Sequence, residues 1–197
     1  MDHRDTDQHV APAPGLLAQL REDREVNGGL SRPGFQAIAL HRFTNWSRRS
    51  APRWSRGLCR VASRTGFVLV RNVYGIELPA SVVLGRRVRI AHQHGIVIHP
   101  GTVIGDGCTI RQGVSLGAAA GDAGRFHDQA PSLGEDVSLG VGAVVVGGVH
   151  LGDGAMIGPN ATVLTSVPAG ARVLAQPPRT VSFPPAVARR EAELRER

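Results

Sequence analysis

Three histidines, His92, His94 and His99, lie within the stretch IAHQHGIVIHPG at positions 90–101. Imidazole titrates near pH 6.5, so a histidine can remove a proton from a hydroxyl group close to neutral pH. A neutral imidazole is also a common metal ligand. The stretch therefore offers two chemistries, general-base catalysis and metal binding, and the surrounding elements must decide between them.

A repeat of six residues surrounds this stretch. Apolar residues recur at this interval in two long blocks, and a small or β-branched residue follows four positions after each. A period of six fits neither an α-helix nor an alternating strand. It predicts a coil of short strands joined by turns, with the recurring residues stacked inside. These residues are Ile98, Ile104, Ile110 and Leu116, then Leu133, Leu139, Val145, Leu151, Ile157 and Val163, with Leu84 and Ile90 as an earlier fragment.

The repeat is interrupted at two places. The spacing from Ile90 to Ile98 is eight, so two extra residues lie in HQHG, and the spacing from Leu116 to Leu133 is seventeen. Insertions in repeat proteins form loops, often on the binding face. We expect the first break to lift His92 out of the regular wall, with Gly95 allowing a sharp turn. The second predicts an extruded loop.

Composition and charge restrict the class of protein. The 197-residue chain has a net charge of +7, and its 23 basic residues are all arginine. They concentrate at positions 42–71 and 189–197, which argues against a nucleic-acid surface but suits an anionic cofactor. Cys59 and Cys108 are the two cysteines, and residues 1–15 lack the apolar core of a signal peptide. We therefore expect a soluble cytoplasmic protein with free thiols and no membrane partner.

The pattern divides the chain into four parts. Residues 1–15 are expected to be a disordered tail, and residues 16–74 show the apolar spacing of helices. Residues 75–181 are predicted to form the β-helix, with four to five coils between positions 80 and 174. Residues 182–197 are expected to be a charged C-terminal tail.

The hexads, read with GIELPASVVLG, AHQHGIVIHPGTVIGDGCTIRQGVSLG and PRTV, resemble bacterial serine O-acetyltransferases. The similarity is greatest to the branch of that family found in polysaccharide and specialised-metabolite clusters, and it covers about residues 17–181. It implies a mainly β chain, a left-handed parallel β-helix of hexapeptide repeats behind an N-terminal helical segment. It also implies a homotrimer or a dimer of trimers, with acetyl-CoA as the donor.

The resemblance assigns roles to particular residues. The family's general base, just before Gly-Ile-Val-Ile, falls on His92, and the carboxylate that orients it falls on Glu77. Such a carboxylate fixes the imidazole tautomer and stabilises the imidazolium. Amides of Gly113 or Gly117 are candidates for binding the oxyanion. The positions expected to contact acetyl-CoA are Gly117, Ala118, Val141, Pro159 and Arg179.

The acceptor is less well defined. The chain has Ala130 where the family has a second histidine, Ala91 where it has an aspartate, and EDREVNGGLS in place of an Asp-Pro-Ala segment. These losses weaken serine as the acceptor, although His94, Arg125 and His127 could contact a substrate. A sugar or specialised-metabolite hydroxyl or amine therefore stays open as the alternative.

Metal binding is the less favoured chemistry. The spacing His94-x4-His99 matches that of hexapeptide-repeat carbonic anhydrases, in which three histidines hold zinc. The third ligand should lie about eighteen residues away, where the chain has Ile76 and Gln112. We therefore predict no metal. A zinc enzyme or a non-catalytic scaffold would be the remaining alternatives.

Overall fold

The computed structural model describes residues 15–119, 129–177, 180–181 and 195. Within these residues three helices precede fourteen short strands. The helices are α1 Leu16–Asn27, α2 Pro33–Ser50 and α3 Arg56–Tyr74. The strands are β1 Ile76–Glu77, β2 Val83–Leu84, β3 Arg89–Ile90, β4 Ile96–Ile98, β5 Val103–Ile104, β6 Thr109–Ile110, β7 Ser115–Gly117, β8 Ser132–Leu133, β9 Ser138–Leu139, β10 Val144–Val146, β11 His150–Leu151, β12 Met156–Ile157, β13 Thr162–Val163 and β14 Arg172–Val173.

The strands form three parallel sheets around a common axis. Sheet A contains β1, β4, β7, β10 and β13; sheet B contains β2, β5, β8 and β11; sheet C contains β3, β6, β9, β12 and β14. Since each strand pairs with the strand one coil away, the chain winds as a three-sided parallel β-helix. This confirms the predicted fold class, while the left-handed sense stays a prediction of the resemblance.

The strand register accounts for the six-residue repeat and its interruptions. Leu139 lies opposite Ile157, eighteen residues later, as three hexads require. Pairs across the first break are twenty residues apart, as in Val83 and Val103, and pairs across the second are twenty-nine apart, as in Ile104 and Leu133. Both predicted insertions are therefore present. The hexad pattern does not predict a shorter last coil, yet Ile157 lies opposite Val173, only sixteen residues later.

The interior is aliphatic. The repeated apolar residues point inward, and the side chains of Ile98, Ile104, Ile110, Leu116 and Leu139 are at most 1% exposed. The small residues of the repeat, such as Ala143 and Ala155, are also buried. Stacked aliphatic rows thus supply the buried area that the sparse aromatic residues do not.

The helices are fixed to the first coil by polar contacts. The Arg42 guanidinium pairs with the buried Asp23 carboxylate at 3.0 Å and also donates to the Leu84 carbonyl at 2.7 Å. The Asn27 side chain donates to the Val88 carbonyl and accepts from the N–H of Ile90, both at 2.9 Å. The Asn27 contacts hold the end of α1 beside β3, and therefore beside the histidine stretch, whereas Arg42 joins the middle of α2 to α1 and to β2. No helix among the described residues has the length and apolarity needed to cross a bilayer.

Candidate active site

His92 lies at the corner where sheet C leads into sheet A. Successive coils make this C–A corner with a left-handed residue: Gly95, Gly113, Gly142 and Asn160 have φ between 55° and 74°. A Cβ added to Gly95 would lie 3.3 Å from the Cα of Gly113, so the corners are also tightly stacked. Glycine suits both requirements, and Gly95 turns the chain as expected.

The first coil has two more residues at this corner than the next. Ile90 lies opposite Ile110 and Val97 lies opposite Ser115, so six intervening residues face four. The backbone bonds of Ala91 to Ile110 and of Gly113 to His94 place the excess at His92 and Gln93. Having no counterpart in the next coil, His92 is exposed to solvent.

The Gly113 amide is already used in the corner. Its N–H donates to the His94 carbonyl at 3.0 Å, as the N–H of Gly142 donates to Gln112 at 2.9 Å one coil later. The expectation that Gly113 could bind an oxyanion is therefore wrong, because the stacking of coils consumes that donor. The Gly117 amide is occupied in the same way, because Gly117 lies opposite Val146 in the parallel ladder of β7 and β10, whose phase directs its N–H to the Val145 carbonyl.

His94 lies closer to β1 than His92 does. Its N–H donates to the Tyr74 carbonyl at 2.9 Å, and its Nδ1 would be 3.1 Å from a Cβ added to Gly75. Its φ of 75° is unusual for a residue other than glycine, although histidine is enriched in this region. The His94 ring therefore covers the start of β1.

Glu77 points outward from β1, half-buried, opposite Val97 of β4. Across the described part of the chain, no hydrogen bond or ion pair joins its carboxylate to the ring of His92. The partnership therefore stays a prediction. His99 follows the other end of β4, at the corner where sheet A leads into sheet B. Its Nδ1 accepts from the N–H of Gly101 at 3.1 Å.

The residues expected to contact acetyl-CoA lie at the two ends of the strands of sheet A, that is, at two different corners of the β-helix. Val141 and Pro159 occupy the C–A corner in successive coils, since the Asn160 N–H donates to the Val141 carbonyl at 2.8 Å. Gly117 lies at the other end of the strands, where sheet A leads into sheet B, beside His99, and Ala118 follows it. Arg179, Arg125 and His127 lie outside the described residues.

A polar cavity of about 460 Å³ adjoins His92. It lies between the end of α1, the start of α2, strand β3 and the corner itself. Its lining includes three exposed charged residues, Glu25, Arg32 and Arg89. No sequence motif joins these three residues, so they were not predicted, and only the packing of the helices on β3 brings them together.

Two further observations concern thiol and metal chemistry in the described part of the chain. Burial raises the pKa of the Cys108 thiol to about 11, so little thiolate forms at neutral pH. Within the described ranges, no group of three or more histidine, cysteine, aspartate or glutamate residues is placed to hold a metal ion.

The comparisons with known proteins agree with this geometry. The family model for bacterial transferase hexapeptide (six repeats) matches residues 130–165. Together with the parallel β-helix, this match defines the chain as a hexapeptide-repeat protein.

Similar proteins identify the family within this class. Serine acetyltransferase of Mycobacterium tuberculosis is 34% identical over 149 residues, which make up 76% of this chain and 61% of that protein. Serine acetyltransferase of Staphylococcus aureus (strain MSSA476) is 35% identical over 167 residues, 82% of this chain and 76% of that protein. The chain belongs to the serine acetyltransferase family.

A solved structure shows the shared fold. Serine acetyltransferase of Brucella abortus in complex with coenzyme A superposes with a TM-score of 0.64 at 24% identity, covering 83% of this chain and 65% of that one. The chain spans about three fifths of the length of the M. tuberculosis relative.

Proposed function

We propose that the chain is an acetyl-CoA-dependent O-acetyltransferase in which His92 is the general base. The observation that carries the proposal is the two-residue excess at the C–A corner, which leaves His92 exposed beside a polar cavity. A family whose relatives are serine acetyltransferases, one of them solved with coenzyme A, supports the same chemistry.

The reaction needs a group that accepts the proton of the attacking hydroxyl. His92 takes the proton of the acceptor hydroxyl while that oxygen attacks the thioester carbonyl. The tetrahedral intermediate then expels the coenzyme A thiolate, which receives the proton from the imidazolium. General-base assistance of this kind contributes about 10²–10⁴ in rate. Glu77 would orient the ring and stabilise the imidazolium.

The charges beside His92 favour a zwitterionic acceptor over a neutral one. Arg32 and Arg89 present guanidinium groups, whose planar fork of donors matches a carboxylate. Glu25 can receive an ammonium group in the same cavity. A hydroxy amino acid such as serine uses all three charges, whereas a neutral sugar uses none. We therefore favour serine despite the loss of the family's Asp-Pro-Ala segment.

Exposed valines support assembly. Val83 and Val103 point outward from adjacent strands of sheet B and are 60% and 40% exposed, and Val97 on sheet A is 47% exposed. Apolar side chains on flat sheets favour association with further copies of the chain. A trimer, alone or as a dimer of trimers, is the proposed state.

An acceptor panel tests the function. Thiol release from acetyl-CoA should be fastest with serine, slower with a hydroxy acid lacking the ammonium group, and slowest with a neutral sugar. Arg89→Gln should raise the KM for serine about 10-fold or more, because a charged hydrogen bond is lost, with the KM for acetyl-CoA unchanged. Arg172→Gln is the control, since Arg172 also points outward from sheet C but at its far end.

The same panel can contradict the proposal. Absence of thiol release with every acceptor would reject the acetyltransferase. Faster turnover of the sugar than of serine would instead favour the alternative acceptor class.

A further inference from the structure

A second cavity lies away from His92. It measures about 650 Å³, within the range of small-molecule sites, and lies between α2, α3 and the segment 78–81 that follows β1. None of its lining residues belongs to the cavity beside His92. The proposed acetyl transfer does not use it.

The rim of this cavity is strongly basic. Arg48 comes from the last turn of α2, and Arg56, Arg60 and Arg64 follow one face of α3 at intervals of four residues. The three α3 arginines span about 12 Å. Like charges at this spacing destabilise a helix unless a partner compensates them.

No protein partner compensates them within the described residues. The lining contains no aspartate or glutamate, and the ion pairs among the described residues join Arg42 to Asp23 and Arg86 to Glu22. Arg56 donates to the Ala51 carbonyl at 3.1 Å. The guanidinium groups of Arg48, Arg60 and Arg64 have no acceptor in the described part of the chain. The row therefore forms a basic surface whose charge no described acidic residue compensates.

The floor of the cavity adds two buried polar atoms without partners. Ser63 and His41 are 8% and 4% exposed, and neither Oγ of Ser63 nor Nδ1 of His41 has a hydrogen-bond partner. The Nε2 of His41 lies 3.0 Å from the Val82 carbonyl and 3.3 Å from Nδ2 of Asn45, which also donates to the His41 carbonyl at 3.2 Å. The shorter contact is to an obligate acceptor, so it places the proton on Nε2 and leaves Nδ1 as an acceptor. Leaving buried polar atoms unpaired costs free energy that a ligand can recover. Ser63 can donate to a ligand oxygen, and His41 can accept from a ligand hydroxyl.

We propose that this cavity binds a nucleoside polyphosphate. Its phosphates fit the guanidinium groups of Arg60, Arg64 and Arg48, which bind such oxyanions through a fork of donors. A ribose hydroxyl satisfies Nδ1 of His41. The apolar part of the lining receives the base and comprises Leu40, Phe67, Leu78 and Pro79.

Calorimetric titration of the full chain with ATP, tripolyphosphate and adenosine tests this site. ATP should bind to the wild type, tripolyphosphate more weakly, and adenosine not measurably. The variant Arg60→Gln/Arg64→Gln should raise the Kd for ATP about 10-fold or more. The charge-matched control Arg21→Gln/Arg24→Gln, on exposed positions of α1, should stay within about 2-fold of the wild type.

Ser63→Ala separates binding from folding. Removing a buried hydroxyl without a partner should leave the Tm of the free protein unchanged or raise it, while the Kd for ATP rises about 3-fold or more. A purely structural role for Ser63 would lower the Tm and spare the Kd. Equal ATP binding by the Arg60/Arg64 variant and its control, or no binding of ATP and tripolyphosphate to the wild type, would overturn the proposal.

Discussion

His92 and Gln93 are the residues by which the first coil exceeds the next. A histidine in phase with the hexads would point into the aliphatic interior or lie flat on a sheet. In the interior its charged form would be strongly disfavoured by desolvation. The insertion gives the ring solvent contact and a neighbouring cavity, which a proton acceptor requires.

His41 shows what burial does to a histidine in the same chain. Burial lowers the pKa of His41 to about 4, with nearby Arg42 and Arg48 acting in the same direction, while its contact with Val82 opposes the shift. The ring is therefore neutral at pH 7. It can serve as a hydrogen-bonding group but not as a base that cycles near neutral pH.

The low pKa of His41 should make the free energy of unfolding depend on pH. Because the folded state resists protonation of His41, its contribution is complete above the unfolded pKa of about 6.5 and is lost as pH falls towards 4. Between pH 7 and pH 4.5 the wild type should lose about 2 kcal/mol more than His41→Gln. Urea unfolding of both proteins at the two pH values measures it. An equal loss of stability in the wild type and in His41→Gln would contradict the lowered pKa of His41.

At the scale of elements, the contact between α2 and β3 shapes the cavity beside His92. A Cβ added to Gly34 would lie 2.3 Å from the Ile90 carbonyl oxygen, so the start of α2 touches the strand that leads into the histidine corner. Any larger residue must push the helix away. Arg32, which precedes α2, would move with it.

Gly34→Ala should therefore be destabilising. We expect a loss of about 1–3 kcal/mol, because the backbone of β3 cannot yield as a flexible side chain can. Gly57→Ala is the matched control: Gly57 lies in α3 with no atom within 4 Å of the added Cβ, and alanine there should stabilise by up to about 1 kcal/mol. Chemical denaturation of both variants measures the difference, and similar effects would argue against the close contact.

The hexads made the elements of the β-helix predictable, because each inward residue repeats a local requirement for burial. The eight-residue step at Ile90–Ile98 and the turn at Gly95 were visible for the same reason. The cavity beside His92 was not, since it depends on how α1 and α2 dock on β3 through Asn27 and Gly34. The occupied amide of Gly113 was likewise hidden, because it depends on contact between coils.

At the scale of the whole molecule, the outward faces of the β-helix differ. Sheet B exposes Val83 and Val103 side by side, whereas sheet C presents Arg89 and Thr109 at the equivalent positions. Charged residues on sheet C are readily hydrated, but the valines gain from being covered. We expect sheet B to take part in the proposed trimer.

Val83→Arg/Val103→Arg should dissociate that assembly, because two arginines in each of three subunits would bring six like charges to the interfaces of the trimer. Thr109→Arg, on sheet C, should leave the oligomer intact. Sedimentation velocity at micromolar concentration measures both. A wild type that sediments as a monomer, or a trimer unaffected by the valine substitutions, would contradict this arrangement.

The rate of thiol release by the His92→Ala variant tests the proposed mechanism most directly. With acetyl-CoA and serine saturating, we expect kcat to fall about 100-fold or more relative to the wild type, because no other group at the C–A corner is proposed to take the proton. His94→Ala should cost far less, and a strong chelator should leave the wild-type rate unchanged. A His92→Ala rate near that of the wild type, or loss of wild-type activity on chelation, would contradict general-base catalysis by His92.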